Sequence, residues 1–256
     1  MSIDQQKIQQ IIDVGLEITQ LQDIDALLEK TLSAARTVAN ADAGTIYMKN
    51  GTRLKFGQAQ NDTLQKRLPS GQKLIYSMFS VPITHHSISG YVASTGETLN
   101  IPDVYQLQPD QVPYSFDRSY DQKADYRTQS MLTFPLKNSR RRVIGVMQLI
   151  NAKNDQGEVV PFHNRDIPLV KVFVNHAAKA IERAQLKRAE ILEMIGFLTT
   201  LRDPEETEAH VNRVGAYSAE IYEGWAYTQG VPQVQVEKNA EILRMAAMLH
   251  DIGKLG

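Results

Sequence analysis

The sequence contains no cysteine. This absence excludes disulfide bonds, a thiol nucleophile and any zinc site built from thiolates. Long apolar runs are also missing. The longest, at 131–136 and 143–147, have the length of a strand and are much too short to span a bilayer. The sequence therefore predicts neither thiol chemistry nor a membrane-spanning segment.

An excess of charge of one sign is missing as well. The chain has 28 basic and 29 acidic residues, which gives a formal net charge of -1. No global field attracts a nucleic-acid polymer or an anionic membrane. Residues 1–7 lack the charged and apolar regions of a secretion signal. We therefore expect a soluble, cytoplasmic chain with neither a nucleic-acid polymer nor a membrane among its partners.

The first part of the chain mixes helical and strand patterns. Apolar residues at three-and-four spacing predict a helix over 4–20 and a second helix that begins at Asp25 as N-cap. A short helix is predicted over 87–95 and is closed by Gly96. The polar segment 103–127 predicts a long loop. Strands are predicted at 45–48, 54–60, 81–83, 98–101, 130–137 and 143–151.

A long helix is predicted from about Arg165 to Arg202, because Pro204 disfavours helix before it. Its apolar residues keep a period near 3.5, which favours a coiled-coil seam between two chains. The alternative is a helix that packs on its own domain. Two further helices are predicted over 205–228 and 234–249. We therefore predict a mixed α/β domain over 1–185 and an all-α part over 186–256.

A histidine and an aspartate stand side by side near the end, at His250 and Asp251, and are followed by Ile-Gly-Lys. His210 lies in an earlier predicted helix, and Glu206 shares its face at four-residue spacing. Imidazole and carboxylate groups suit Mn, Fe, Zn or Mg. A metal there would lower the pKa of a bound water and polarise a phosphoryl oxygen. The alternative is a surface histidine and an ordinary helix C-cap.

This spacing resembles the opening half of an HD-domain metal-dependent phosphohydrolase. Within that family, residues 201–210 resemble the HD-GYP subfamily, which hydrolyses cyclic di-GMP, although Glu208 replaces the usual glycine. The resemblance implies that His210, His250, Asp251 and Glu206 ligate a divalent metal, and Lys254 would offer a charge to phosphate. The later histidines of the family lie beyond Gly256. We therefore expect little or no activity, and weak or absent metal, in this chain alone.

The segments 130–136 and 145–153 resemble the GAF domains of cyclic-nucleotide phosphodiesterases and cyclases. The resemblance implies a central antiparallel sheet flanked by helices. The subgroup carries a signature of Asn, Lys, Phe, Asp and Glu, in which the Lys and Asp pair with each other. The residues that fit the signature loosely are therefore structural candidates: Asn151, Lys153, Phe162 and Asp166. Ile167 stands in place of the glutamate, and Ala152 separates the first two positions.

GAF domains bind cyclic nucleotides, haem, tetrapyrroles or other small molecules, and many bind nothing known. Without cysteine, a thioether-linked tetrapyrrole is excluded. We expect any ligand site between the sheet and segment 84–127, where Tyr91, Phe116 and Tyr126 would stack on a planar ring. The alternative is that these aromatic residues pin the loop to the sheet.

The function predicted from these patterns is signalling. A GAF sensor regulates an HD-type phosphodiesterase that acts on cyclic di-GMP, in a homodimer joined through the flanking helices. Two alternatives remain open. The chain is a small-molecule-binding or dimerisation module without catalysis, or it belongs to an HD phosphohydrolase that acts on another nucleotide.

Overall fold

The computed structural model describes residues 23–69, 71–72, 80–202, 208–231 and 233–250. These residues form two compact units that divide between Glu182 and Arg183. The helix predicted over 4–20 lies outside the described residues. Three predicted site residues lie outside them too: Glu206, Asp251 and Lys254.

The first unit is built on one seven-stranded sheet. Its strands are β1 (Ala41–Asn50), β2 (Arg53–Asn61), β3 (Val81–Pro82), β4 (Leu99–Ile101), β5 (Met131–Lys137), β6 (Val143–Lys153) and β7 (Val159–Val160). The order is β3-β2-β1-β6-β5-β4, with β7 beside the end of β6. All paired strands are antiparallel. The predicted fold class, an antiparallel sheet flanked by helices, is confirmed.

The helices are α1 (Ile24–Val38), α2 (Asp62–Gln65), α3 (Ile88–Thr95), α4 (Ser119–Ala124), α5 (Ile167–Arg202), α6 (Glu208–Thr228) and α7 (Gln233–Met248), with 3₁₀ turns at Val104–Gln106 and Asn164–Asp166. Helix α1 is capped by Asp23, two residues before the predicted cap, and Asp25 lies in its first turn. Helix α3 agrees with its prediction. Ser87 accepts a hydrogen bond from the Gly90 N–H, and Gly96 ends the helix with a φ of 72°.

Segment 103–127 is not the structureless loop that its polar composition predicts. The Asp103 carboxylate accepts a hydrogen bond from the Tyr105 N–H at 2.8 Å and caps a 3₁₀ turn. Helix α4 follows and ends at Asp125, which adopts a left-handed φ of 47°. Side-chain caps of this kind stabilise short turns. Such turns have no apolar periodicity from which the sequence would predict them.

One face of the sheet forms the main core with α1 and α5. Leu28 and Leu32 of α1 and Phe173 of α5 are fully or almost fully buried against Phe134 and Met147 of the sheet. Each such side chain contributes about 1.5–3 kcal/mol when it leaves water. This face therefore supplies most of the apolar contact that holds the first unit together.

The predicted coiled-coil seam is largely wrong over its described length. Val170, Val174 and Ile181 are buried in the core of the first unit, so they pack on their own domain. Further along α5, Ile195 packs against Val211 and Met248 in the second unit. A stripe of this period covers a sheet as well as it covers a partner helix, and the sequence pattern alone does not separate the two.

In the second unit, α6 and α7 pack on each other. Gly215 permits their close approach, because a Cβ at this position would lie 2.7 Å from Cγ of Met248. The side chains of Arg188 and Glu241 form an ion pair. Trp225 is 54% exposed and its ring lies 5.8 Å from that of Tyr222. Within the described residues, no helix has the length and apolar character needed to cross a membrane.

Candidate functional site

A buried carboxylate links the start of β1 to three other parts of the first unit. Asp42 is 3% exposed. Its Oδ1 accepts hydrogen bonds from Thr63 Oγ1, at 2.8 Å, and from the Lys153 ammonium. Its Oδ2 accepts one from the Tyr126 hydroxyl, also at 2.8 Å. We call these four residues, Asp42, Thr63, Tyr126 and Lys153, the Asp42 cluster.

The cluster fixes the charge state of its members. Burial alone would raise the pKa of Asp42. The hydrogen bonds from Lys153, Thr63 and Tyr126 outweigh that effect and hold the pKa below its ordinary value. Burial and the adjacent Asp42 charge raise the pKa of Tyr126. Asp42 therefore stays anionic at neutral pH while Tyr126 stays a neutral donor.

Asn151 fastens the segment before β5 to the same place. It adopts a left-handed φ of 56°, which asparagine tolerates better than most residues. Its Nδ2 donates to the Arg127 carbonyl at 2.7 Å and to the Tyr126 hydroxyl at 3.0 Å, and its Oδ1 accepts from the Gln129 N–H at 2.7 Å. Asn151 thereby gives side-chain partners to two backbone groups of this segment.

A second buried carboxylate, Asp121, joins this segment to the start of the preceding stretch at Tyr105. It accepts hydrogen bonds from the Thr128 N–H and hydroxyl, both at 2.8 Å, and from the Tyr105 hydroxyl at 2.9 Å. The guanidinium groups of Arg118 and Arg127 each lie 4.5 Å from the centre of the Tyr105 ring. The stretch 105–128 is thus held at both ends by hydrogen bonds to buried carboxylate groups.

The structure gives Lys153 a partner that the family signature did not indicate, namely Asp42. Ala41 of β1 faces Ala152 of β6 in an antiparallel pair. Asp42 and Lys153 are therefore diagonal to each other across this pair, and the Lys153 side chain reaches Asp42. Phe162 is buried in the main core, and Asp166 is buried in the 3₁₀ turn before α5.

The three predicted stacking residues occupy different settings. The Tyr91 ring lies 5.0 Å from that of Tyr114, and its hydroxyl donates to Glu97 at 3.1 Å. Phe116 lies 5.6 Å from the Tyr105 ring, in an apolar cluster under α3. Tyr126 belongs to the Asp42 cluster. Its hydrogen bonds are those of a residue that pins the segment to the sheet, which was the alternative interpretation.

Two apolar clusters line the face of the sheet that lies under α3. The first contains Val92 of α3 with Tyr47 and Val146 of the sheet. The second contains Ile88 of α3 with Met131. This face lies between the sheet and segment 84–127, which is where the sequence predicts a ligand.

In the second unit, the fold brings together two of the predicted metal ligands. The ring centres of His210 and His250 lie 6.2 Å apart. Zinc-bound imidazole nitrogens lie about 2.0–2.1 Å from the metal, so each ring would have to turn one nitrogen toward the space between them to share an ion. Nδ1 of His250 lies 2.8 Å from the Ala247 carbonyl. Metal-bound histidines commonly donate one ring N–H in this way, which leaves the other nitrogen for the metal.

Among the described residues, no group of three or more His, Asp or Glu side chains is arranged to hold a metal. The remaining predicted ligands, Glu206 and Asp251, lie outside those residues, as does Lys254. Sequence reasoning missed Asp42 and Thr63, because an isolated aspartate and threonine carry no spacing signal. Their role comes only from strand register and burial.

We expect Asp42→Asn to destabilise the first unit by about 1–3 kcal/mol, since it leaves Lys153 without its anion and weakens two further hydrogen bonds. The measurement is urea unfolding followed by far-UV circular dichroism. Asp125→Asn is the matched control, because Asp125 is exposed and asparagine also accepts its left-handed φ. Equal stability of the two variants would contradict a structural role for the Asp42 cluster.

The pH dependence follows from the lowered pKa of Asp42. The stabilisation is complete above the pKa of the unfolded chain, about 3.9, and is lost as pH falls through the lower folded-state pKa. The stability difference between wild type and Asp42→Asn should therefore be constant near pH 7 and shrink only in acid.

Residues 23–181 match the family model of the GAF domain, and residues 207–256 match that of the HD domain. A dual 3',5'-cyclic-AMP and -GMP phosphodiesterase 11A of Takifugu rubripes is 29% identical over 212 residues, 79% of this chain and 22% of that protein. A dual 3',5'-cyclic-AMP and -GMP phosphodiesterase 11 of Drosophila melanogaster is 31% identical over 146 residues, 57% of this chain and 9% of that protein. The chain therefore spans only a small part of these relatives.

Solved structures agree on the fold of the first unit. The GAF domain of a phosphoenolpyruvate-protein phosphotransferase from Coxiella burnetii has a TM-score of 0.55 at 14% identity, covering 73% of this chain and 99% of that one. The corresponding Acinetobacter domain has a TM-score of 0.52 at 15% identity, with coverages of 73% and 98%. The family match extends over more than half of the sequence, and the chain belongs to the GAF domain family.

Proposed function

We propose that this chain carries the sensor, and the beginning of the catalytic part, of a signalling phosphohydrolase in the cytoplasm. A GAF domain binds a small-molecule effector and regulates an HD-type metal-dependent phosphodiesterase. The observation that carries the proposal is the combination of a GAF fold with two histidines brought together in a unit that matches the HD domain.

The metal would be held by His210 and His250, with Glu206 and Asp251 as the further ligands that the sequence offers. When bound, a divalent metal supplies a Lewis acid and an activated water for attack on a phosphodiester. Lys254 would place a positive charge near the phosphate. The fixed Nδ1 contact of His250 keeps its ring in one orientation before any metal arrives.

For the substrate we propose a cyclic nucleotide. Cyclic di-GMP is the first candidate, because residues 201–210 resemble the HD-GYP subfamily. The names of the two animal relatives describe action on cyclic AMP and cyclic GMP, which makes these the second candidates. The test is hydrolysis of each of the three cyclic nucleotides, with Mn²⁺ present, by the protein that carries this sequence. No turnover of any would favour a binding module without catalysis, and turnover of another nucleotide alone would favour a different HD phosphohydrolase.

The effector prediction concerns the GAF domain itself. We expect cyclic AMP or cyclic GMP to stabilise the chain by about 2.7 kcal/mol at a hundred times the dissociation constant, measured by thermal shift and calorimetry. Loss of a stacked ring in Tyr91→Ala or Phe116→Ala should weaken binding by about 1–3 kcal/mol.

Two further variants make this test sharper. Tyr126→Phe keeps the ring and removes the hydrogen bond to Asp42, so it separates stacking from pinning. Tyr227→Ala changes an exposed tyrosine of the second unit and should leave binding unchanged. A cyclic nucleotide that binds equally well to Tyr91→Ala, Phe116→Ala and Tyr126→Ala would place the site elsewhere.

The metal prediction uses Co²⁺ as the probe. We expect weak binding to this chain, and His210→Ala or His250→Ala should each weaken it by at least about tenfold. His163→Ala, in the first unit, is the control. Unchanged Co²⁺ affinity in both histidine variants would refute the assignment.

Homodimerisation is proposed through the exposed part of α5. Leu186 and Met194 are 59% and 55% exposed, and together with Phe197 they leave an apolar stripe on this helix. Ile191 and Ile195 are poor sites for a test, because they pack within the second unit. In sedimentation equilibrium, we expect a wild-type dimer and a monomer for Leu186→Asp/Met194→Asp, with Gln185→Asp as control. A wild-type monomer at micromolar concentration would refute the proposal.

A further inference from the structure

A small cavity lies at the edge of the sheet, between β5, the turn after α3 and helix α5. Its volume is about 200 Å³. Phe134 of β5 and Val174 of α5 line its inner side, and both belong to the main core. The sheet leaves this edge open. The last pair between β4 and β5 is Leu99 with Thr133, and among the described residues β5 pairs beyond that point only with β6. We call this space the edge cavity.

The polar side chains that line the edge cavity have no partners within the protein. They are Thr98, Lys137, Lys171 and Asn175. Within the described part of the chain, none of these four side chains makes a hydrogen bond or an ion pair with another residue. The adjacent acid, Glu97, accepts a hydrogen bond from the Tyr91 hydroxyl and does not line the cavity. Two cations and two uncharged hydrogen-bonding groups therefore share one space that contains no acidic side chain among its described lining residues.

The backbone directs Lys137 toward this space. The register between β5 and β6 shifts between Leu136 and Lys137, and irregularities of this kind re-aim a side chain. A Cβ built on Gly96 would lie 3.1 Å from both Cε and Nζ of Lys137. The ammonium therefore lies against the turn after α3, where glycine leaves room for it.

The end of α3 explains the position of Lys137 but not that of Lys171. A cation is favoured at a helix C-terminus, and Gly96 marks that end of α3. Lys171 lines the same cavity from α5, whose first turn contains no acidic residue to balance it. Both lysines are exposed, so water weakens their repulsion and leaves the cavity accessible. An anion between them would replace the repulsion by attraction to both.

The donors suit a phosphate group better than a carboxylate. Lysine binds phosphate as a point charge, whereas the planar fork of arginine matches a carboxylate. A phosphate monoester carries about −1.5 to −2 charges at neutral pH, which matches the two charges of Lys137 and Lys171. The volume of about 200 Å³ lies below the roughly 300–1,000 Å³ of sites for drug-sized ligands. The edge cavity therefore suits a single phosphate group.

We propose that the edge cavity binds a phosphate group, either as free inorganic phosphate or as the phosphate of a small phosphomonoester. Lys137 and Lys171 supply the charge, while the Thr98 hydroxyl and the Asn175 amide donate hydrogen bonds to the remaining oxygens. The site is separate from the proposed effector site under α3, because its inner side belongs to the core with α1 and α5. It goes beyond the proposed function and does not depend on it.

The test is a titration of the wild-type chain followed by phosphorus-31 NMR, at constant ionic strength. The probes are inorganic phosphate, methyl phosphate and dimethyl phosphate. We expect the first two to bind. Dimethyl phosphate has one charge and two blocked oxygens, so it should bind at least about tenfold more weakly. Methyl phosphate that binds at least as tightly as inorganic phosphate supports a phosphomonoester as the ligand, and weaker binding supports the free ion.

Four variants locate the site. Lys137→Gln and Lys171→Gln should each weaken phosphate binding about tenfold or more. Asn175→Leu keeps the net charge and should weaken it about threefold. Lys179→Gln is the matched control, because Lys179 is also exposed on α5 and does not line the cavity. It lies about 12 Å along the helix from Lys171, beyond the Debye length of about 8 Å at physiological ionic strength, so this variant should bind phosphate as the wild type does.

Three results would overturn the proposal. The first is a wild-type chain that binds neither inorganic phosphate nor methyl phosphate. The second is equal weakening by Lys179→Gln and the two cavity lysine variants, which would show diffuse attraction to a positive surface. The third is an effect of Lys137→Gln without one of Lys171→Gln, which would reduce the site to the end of α3. Cyclic AMP and cyclic GMP are phosphodiesters, so their binding tests the effector proposal and leaves this one unaffected.

Discussion

The fold of the first unit depends on the buried charge of Asp42. This one carboxylate accepts hydrogen bonds from β6, from α2 and from the segment that leads into β5, so its position fixes three pieces of chain that are distant in sequence. A buried anion is tolerable only while all of these donors are present. Loss of any one donor raises the free energy cost of burying the Asp42 charge. The three pieces of chain therefore depend on each other for their stability.

The two faces of the sheet differ in the residues that line them and in the elements that cover them. The face toward α1 and α5 is apolar and closely packed, and it accounts for the stability of the unit. The face toward α3 carries two apolar clusters and three buried polar residues, Thr45, Gln148 and Thr133, and it is covered by a segment that buried aspartates hold in place. The packing of the two faces can therefore be changed separately, because substitutions on one face do not contact the other.

Several elements could be predicted from sequence because their signals are local. The hairpin at Asn50-Gly51, the capped helix from Ser87 to Gly96 and the long helix α5 all have strong turn, cap or periodicity signals. The nearness of His210 and His250 also followed from the motif. These features depend on short-range patterns or on a spacing that is itself distinctive.

The remaining features depend on contacts between distant residues. Asp42 and Lys153 are 111 positions apart and meet only because β1 and β6 are neighbours in the sheet. Gln148 lies in a mainly apolar strand, and only the strand register shows that it faces two further polar residues, Thr45 and Thr133. The apolar stripe of α5 was misassigned for a related reason: periodicity shows which side is buried but not what buries it.

The position of Trp225 has a practical consequence for studying the molecule. It is the single tryptophan of the sequence, and it lies on α6 in the second unit, half exposed beside Tyr222. Emission excited at the red edge of absorption therefore reports only on the helical unit, while the sheet unit stays dark. With circular dichroism in the same cuvette following both, the unfolding of one unit can be timed against the other without attaching a label.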